Sequence, residues 1–328
     1  MSRNDMKLSN SKREHSVLRW LGLLRMQVAL ILFIILIVIG SVLSDVFLTP
    51  NNLLNILWAV SVLGIVALGQ CILIIACRFD MSVAYSVGLC GIITVVVQNH
   101  GVSLFPSVII GLLSGLLIGS VNGLICVRTK ANPFLVTLGT GIFMYATSLA
   151  ITKSQTVYTP IDDFKLLGRA KLFGTVQYSI LIFLGLAIIL EIVLRYTKFG
   201  RGLFVIGLNE KVGTLSGFST SRISMAAFVI CGFTAAIGSL IITSRNGSTV
   251  ANVGMGMEFD SIIAVVLGGT SLFGGSGGAI RTVVGVLTLG VLNNLMVLMN
   301  IPTENQQIVK GTIFLLIVWL DSLLRNKK

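Results

Sequence analysis

The chain is a succession of long apolar runs separated by short polar breaks. A bilayer core of about 30 Å needs about 20 helical residues to cross it. Runs of that length, or close to it, fall at about 26–44, 53–76, 83–98, 105–127, 134–151, 179–194, 223–243, 258–273, 282–299 and 308–323. The pattern predicts an all-α, polytopic helical membrane protein with about ten transmembrane helices, or eight or twelve if one break is a re-entrant segment. The breaks have turn chemistry. Thr49-Pro50-Asn51-Asn52 leads into the second run, and Asn132-Pro133 starts the fifth; a capping residue followed by Pro is a helix-start signal. Cys77-Arg78-Phe79-Asp80 is a charged interruption, 152–178 reads as a polar loop, and 195–222 is polar with short helical potential. Gly274 to Gly278 is glycine-rich.

Composition agrees with this pattern. Of 328 residues, 55% are hydrophobic and 11% charged, against roughly 25% charged in a soluble domain. The mean hydropathy is +0.96. A soluble enzyme, a secreted disulfide scaffold, a coiled coil and a disordered chain are excluded. The five Cys lie in or beside apolar runs without CxxC spacing, and His15 and His100 are too few and too far apart for zinc. They read as small buried residues, and neither metal nor cofactor is expected.

The net charge is +12. Ten spans put both termini on one side, and the 24 Lys and Arg then divide unevenly. Lys153, Lys165, Arg169, Lys171, Arg245 and Lys310 fall on the side away from the termini; the other eighteen fall with the termini. Cytoplasmic loops collect Lys and Arg, so both termini are expected in the cytoplasm and the basicity requires no nucleic acid. Residues 1–25 then form a cytoplasmic tail, 26–324 the membrane domain and 325–328 a short cytoplasmic tail. A cleaved leader is not expected, because no A-x-A site follows the first apolar run.

Several features bear on mechanism. Gly111, Gly115, Gly119 and Gly123 recur every four residues, a smooth helical ridge that lets a neighbouring backbone approach. The ridge reads as tight packing or as a sliding interface. Polar residues inside apolar runs are costly and face protein or water; here they include Gln70, Asn122, Asn293 and Asn294. Asn293 and Asn294 read either as cross-helix glue or as a polar path. Glu191 lies one turn before Arg195, an expected ion pair. No run holds ionisable residues at helical spacing, which disfavours an ion relay. Residues 200–222 combine apolar and polar positions, with Asn209-Glu210 able to start a short helix between Gly207, Gly213 and Gly217. A short amphipathic helix projecting from a membrane domain is a docking surface; the plainer reading is a loop over helix ends. No GxxxxGK[ST] motif occurs, so no nucleotide site is expected and any ATP-driven work falls to a partner.

Other motifs carry a resemblance. GR-x4-IG-x-NE at 200–210, LSG at 215–217, EFDSIIAVVLGGTSLFGGSG at 258–277, LGVLNNLMVLMNI at 289–301 and IVKGTIFLLIVWLD at 308–321 are accompanied upstream by FLTPNNLLNIL at 47–57 and FDMSVA at 79–84. Together they resemble the permease subunits of ribose-type monosaccharide ABC importers, over nearly the whole chain apart from the first ~25 residues and the 152–178 loop. The resemblance implies a type II importer-like fold, a second permease chain, a separate ABC ATPase subunit and a periplasmic or extracellular sugar-binding protein. It makes Asn209, Glu210, Lys211, Leu215, Ser216 and Gly217 the ATPase-coupling segment. It also puts Asp80 and Ser82, with the glycine-rich turn after the eighth run, near the cytoplasmic ends of helices. Asp80, Ser82, Asn293 and Asn294 are the candidate path residues. Two positions depart from the family's pattern: Arg78 stands for a glycine, and Lys211 inverts a charge in the coupling segment. The family also moves autoinducer-2, and related permeases move nucleosides. Readings from other classes are an ion-coupled secondary carrier, for which no inverted halves are evident, and a non-transporting membrane anchor or receptor.

Overall fold

A computed structural model describes residues 29–326; the basic N-terminal tail, with six of the positive charges, lies outside the described residues. Thirteen helices are described. The ten predicted runs correspond to α1 (Ala29–Leu43), α2 (Pro50–Ile75), α3 (Val83–Asn99), α4 (Leu104–Thr129), α5 (Pro133–Thr152), α7 (Tyr178–Tyr196), α10 (Thr220–Asn246), α11 (Met257–Leu267), α12 (Ala279–Leu298) and α13 (Thr303–Asn326). Among the described residues, α2, α4, α5, α7, α10 and α12 are long and apolar enough to cross a membrane, and α1 and α3 are shorter apolar helices. The eighth run is cut short: α11 ends at Leu267, because Gly269 takes a φ of +92° that turns the chain.

The turn signals work as read. The Thr49 hydroxyl accepts from the Asn52 N–H, and the Asn132 side chain accepts from the Phe134 N–H at 3.0 Å, each just ahead of a proline in the first helical turn.

α2 and α10 form the interior. Most of α2 is buried, between α10, α11, α12 and α7, while α10 also packs on α3 and α4. The outer helices keep apolar faces exposed, among them Ile31, Ile35 and Val38 of α1, Leu113 and Leu117 of α4, and Ile188 and Ile189 of α7. Lipid tails are as apolar as these side chains, so the outward faces remain unsatisfied only in water. Tight helix contact comes from small residues. Gly111, Gly115, Gly119 and Gly123 are all buried along one face of α4. A Cβ on Gly115 would stand 2.5 Å from the Gly232 carbonyl, and one on Gly232 would stand 2.8 Å from the Gly119 nitrogen, so the α4 and α10 backbones touch. Gly111 instead faces Thr94 of α3.

Residues 152–178 differ from the loop the sequence suggests. They hold a short helix, α6 (Asp162–Arg169), with Asp162 and Asp163 in its first turn and Arg169 in its last, charges that suit the helix dipole. The strand β1 (Val157–Tyr158) pairs antiparallel with β4 (Ser248–Thr249), and β2 (Lys171–Leu172) pairs with β3 (Val176–Gln177). Short segments of this kind carry no apolar periodicity, and their pairing depends on the distant 248–249 turn. The 195–222 stretch contains α8 (Lys198–Leu208) and α9 (Glu210–Leu215).

Candidate coupling surface and polar interior

The helix ends gather at two poles. One holds α8, α9, the α2–α3 break and the 268–278 loop; the other holds α6, β1 and β4. At the α8–α9 pole, each turn has a local cause. The Thr197 hydroxyl caps α8 by accepting from the Gly200 N–H at 3.0 Å. The Asn209 side-chain amide oxygen caps α9, accepting from the Lys211 and Val212 N–H groups at 2.9 and 3.2 Å. Beyond the Ser216 C-cap, Gly217 takes a φ of +81°. The Gly217 N–H then donates to Thr214 and the Phe218 N–H to Gly213, the paired bonds of a Schellman motif. Phe218 turns inward against Gly202 and the core.

The result is a short helix with apolar side chains facing out. Leu215 is 88% exposed, and Leu208 and Val212 are exposed beside it. Behind this helix, three backbones meet. A Cβ on Gly207 would lie 1.9 Å from the Ile75 carbonyl of α2 and 2.7 Å from the Gly275 nitrogen. The Gly275 N–H donates to that same Ile75 carbonyl at 2.9 Å. Gly274 and Gly275 both have positive φ, which lets the loop curl into the gap. At its other edge the loop is held by Asp321 of α13, which accepts from the Ser271 hydroxyl at 3.3 Å and the Leu272 N–H at 3.2 Å.

Arg78 adds a side-chain tie. Its Nε donates to the Ser224 hydroxyl of α10 at 2.9 Å, and its guanidinium meets the Glu210 carboxylate at 3.2 Å. Glu210 is more than half exposed, and exposed pairs contribute little to stability, so the tie orients α9 more than it stabilises the fold. The sequence marked Arg78 as part of a charged break and as a departure from the family's pattern. Its partner could not be read, because 132 residues separate the two charges.

The remaining site residues divide between two places. Asp80 is buried and accepts from the Ser82 N–H at 2.8 Å and the Ser82 hydroxyl at 2.5 Å. Asn122 of α4 donates to that hydroxyl at 2.8 Å, and Thr137 of α5 accepts from the Met81 N–H at 2.9 Å. The break is therefore pinned to both neighbouring helices. Asn294 lies toward the opposite end of α12, in a reciprocal amide pair with Asn52 of α2 at 2.9 and 3.0 Å. Asn293 has a buried side-chain oxygen with no hydrogen-bond partner among the described residues. Asp80 and Ser82 come together, but Asn293 and Asn294 do not join them. Glu191 pairs with Arg195 at 2.5 Å and also accepts from the Ile280 N–H at 3.1 Å, capping α12. The first contact follows from spacing, whereas the second needed the fold.

This arrangement has known relatives. Residues 52–318 match the family described as branched-chain amino acid transport system / permease component. The chain belongs to this permease family. Among curated proteins, the permease is 33% identical over 306 residues to the ribose import permease protein of Haemophilus influenzae, covering 92% of this chain and 94% of that one. It is 34% identical over 292 residues to the L-arabinose transport system permease protein of Escherichia coli K12, covering 89% of each. The D-allose transport system permease protein of the same organism is 31% identical over 295 residues, 90% of each chain. No solved structure matches. The permease is thus a multi-pass membrane protein of a transport system.

Proposed function

We propose that this permease is the membrane subunit of a binding-protein-dependent ABC importer and forms the translocation pathway for a monosaccharide, a pentose or hexose. The names of its relatives support the substrate class, since the ribose, allose and arabinose permeases each match over about nine-tenths of their length. The observation that carries the mechanism is the exposed α9 surface backed directly by the Gly207–Ile75–Gly275 contact. A separate ATPase subunit seats on Asn209, Glu210, Lys211, Leu215, Ser216 and Gly217, with Leu208 and Val212 extending the apolar area. When nucleotide closes the ATPase dimer, α8–α9 moves, and the backbone contact passes that motion to α2 and the 268–278 loop. ATP hydrolysis stays with that subunit.

The α8–α9 pole and both termini face the cytoplasm, and the α6 pole faces the sugar-binding protein. This follows from the charge asymmetry: Arg128, Lys198, Arg201, Lys211 and Arg222 lie near the α8–α9 pole. A second permease chain, identical in the simplest case, completes the pathway. Tight sugar binding midway would slow release, so selection rests with the binding protein. Asp80, Ser82, Asn293 and Asn294 are candidates to line the path when the helices part. Liposomes containing the permease, its ATPase and its binding protein should take up ribose, arabinose or another monosaccharide only with ATP. Sugar uptake by the permease alone, driven by a proton or sodium gradient, would overturn the reading in favour of a secondary carrier. Preferred uptake of a nucleoside or autoinducer-2 would overturn the substrate class alone.

A further inference from the structure

A groove of about 590 Å³ opens between α4 and α10 at the α8–α9 pole. Its walls are apolar, formed by Leu124, Val127, Met225 and Val229, and Arg128 and Arg222 stand in its lining. Both arginines are exposed, and neither has an acidic partner among the described residues. The local acids are already engaged: Glu210 by Arg78, Glu191 by Arg195, Asp80 by Ser82, and Asp321 by Ser271 and Leu272. Away from the arginines, α4 continues as an exposed apolar stripe through Val121, Leu117 and Leu113. From Arg128 to Leu113 the helix rises about 22 Å, more than the roughly 15 Å half-thickness of a bilayer core.

We propose that this groove binds an anionic phospholipid, with the phosphate between Arg128 and Arg222 and an acyl chain along Leu124, Val121 and Leu117. Three observations favour lipid over the other occupants. The groove joins a basic end to an apolar track, the two parts of such a lipid in their natural order. A second copy set here would bring its own cations, with no described acid at this pole free to meet them. The neighbouring α9 surface, where we place the ATPase, is a separate apolar patch. Basic pockets between spans on the cytoplasmic side are suited to anionic head groups, at about 1 kcal/mol for each Lys or Arg near the surface.

The test uses the full-length permease, delipidated in a neutral detergent and titrated with phosphatidylglycerol or phosphatidylcholine. Native mass spectrometry reads lipid occupancy, and a thermal scan reads stability. Wild type should bind phosphatidylglycerol in preference. The R128Q/R222Q double variant should bind it at least about tenfold more weakly, while R201Q, a change of another exposed cation at this pole, should keep the preference. Leu124→Trp should lower occupancy by filling the track. Because the two glutamine changes are on exposed side chains, an unchanged thermal midpoint without added lipid would separate lost binding from lost folding. Equal binding of the two lipids by wild type, or a retained preference in R128Q/R222Q, would overturn the proposal. A change of oligomeric state in Leu124→Trp at constant lipid occupancy would assign the groove to a second copy. Retained transport in ribose-importing liposomes would not affect this result, so the two proposals fail independently.

Discussion

The two poles of the permease are finished differently. At the α6 pole the chain is tied to itself by many polar contacts. β1 pairs with β4, the Gly168 N–H donates to the Ser244 hydroxyl at 2.7 Å, and that hydroxyl donates to the Phe164 carbonyl at 2.5 Å. The Arg169 Nε donates to the Arg245 carbonyl at 2.7 Å, and the Arg245 guanidinium lies 3.7 Å from the centre of the Trp58 ring, whose N–H reaches the Gly168 carbonyl. At the α8–α9 pole the inner side is just as closely tied, through Gly207, Ile75 and Gly275, but the outer side presents Leu208, Val212 and Leu215 without cover. The contrast is between a pole where exposed apolar side chains, Tyr158, Leu166 and Phe173, stand among many polar ties and one where they share a single short segment, 208–215. It also separates a scaffold fixed by many polar ties from a segment held at its base and by the single Arg78–Glu210 tie, for which we propose the part of a lever.

The largest expected break in that comparison is Gly207→Ala at the base of the lever. The added methyl would meet backbone atoms of α2 and of the 268–278 loop, neither of which can turn aside as a side chain can. Overpacking of this kind costs about 3 kcal/mol, and here it also parts the two elements that would receive motion. Thermal unfolding of the purified permease should fall clearly, and uptake should be lost. Gly139→Ala is the matched control, since nothing lies within 4 Å of its Cβ position; equal loss in both would remove the special role of the three-backbone contact.

A smaller and more selective effect is expected at the tip. Leu215→Asp changes a side chain that makes no use of the folded chain, so the permease alone should unfold at its usual temperature. Loss of a central interface anchor costs about 2 kcal/mol or more, so with Leu215 as such an anchor recovery of the ATPase subunit with the permease should drop at least about tenfold. Co-purification at the wild-type level would move the docking surface away from α9. Glu210→Arg should act in the same direction, with the added effect of repelling Arg78.

How much of this was legible follows from the range of each interaction. The ten apolar runs, the Thr49-Pro50 and Asn132-Pro133 starts, the α4 glycine ridge and the Glu191–Arg195 spacing are local patterns, visible within a few residues. Asn209 at the head of α9 was visible for the same reason, as a capping residue before a short helical stretch. Arg78 with Glu210, Asn52 with Asn294 and Asp321 with the 268–278 loop were hidden, because each joins segments tens to hundreds of residues apart. The small folded unit in 152–178 was hidden too, since half of its pairing is supplied by Ser248 and Thr249. The sequence drew Asn293 and Asn294 together as neighbours. The fold separates their surroundings.

That separation gives the finest test, within α12 itself. Asn294 exchanges two amide hydrogen bonds with Asn52, near the α6 pole. Asn294→Leu removes both and leaves the Asn52 amide short of a partner, although its N–H₂ still donates to the Phe47 carbonyl at 2.8 Å. Polar pairs between membrane helices average about 0.6 kcal/mol and reach about 1.7, so the thermal midpoint should fall modestly and uptake should follow stability. Asn293 has no such pair to lose. Its buried side-chain oxygen has no partner among the described residues, so Asn293→Leu should leave stability unchanged or raised. If that oxygen is used when the helices part, uptake should fall in Asn293→Leu without any change in the midpoint. Equal losses of stability and uptake in both variants would return both residues to helix glue and leave the path to be lined by others.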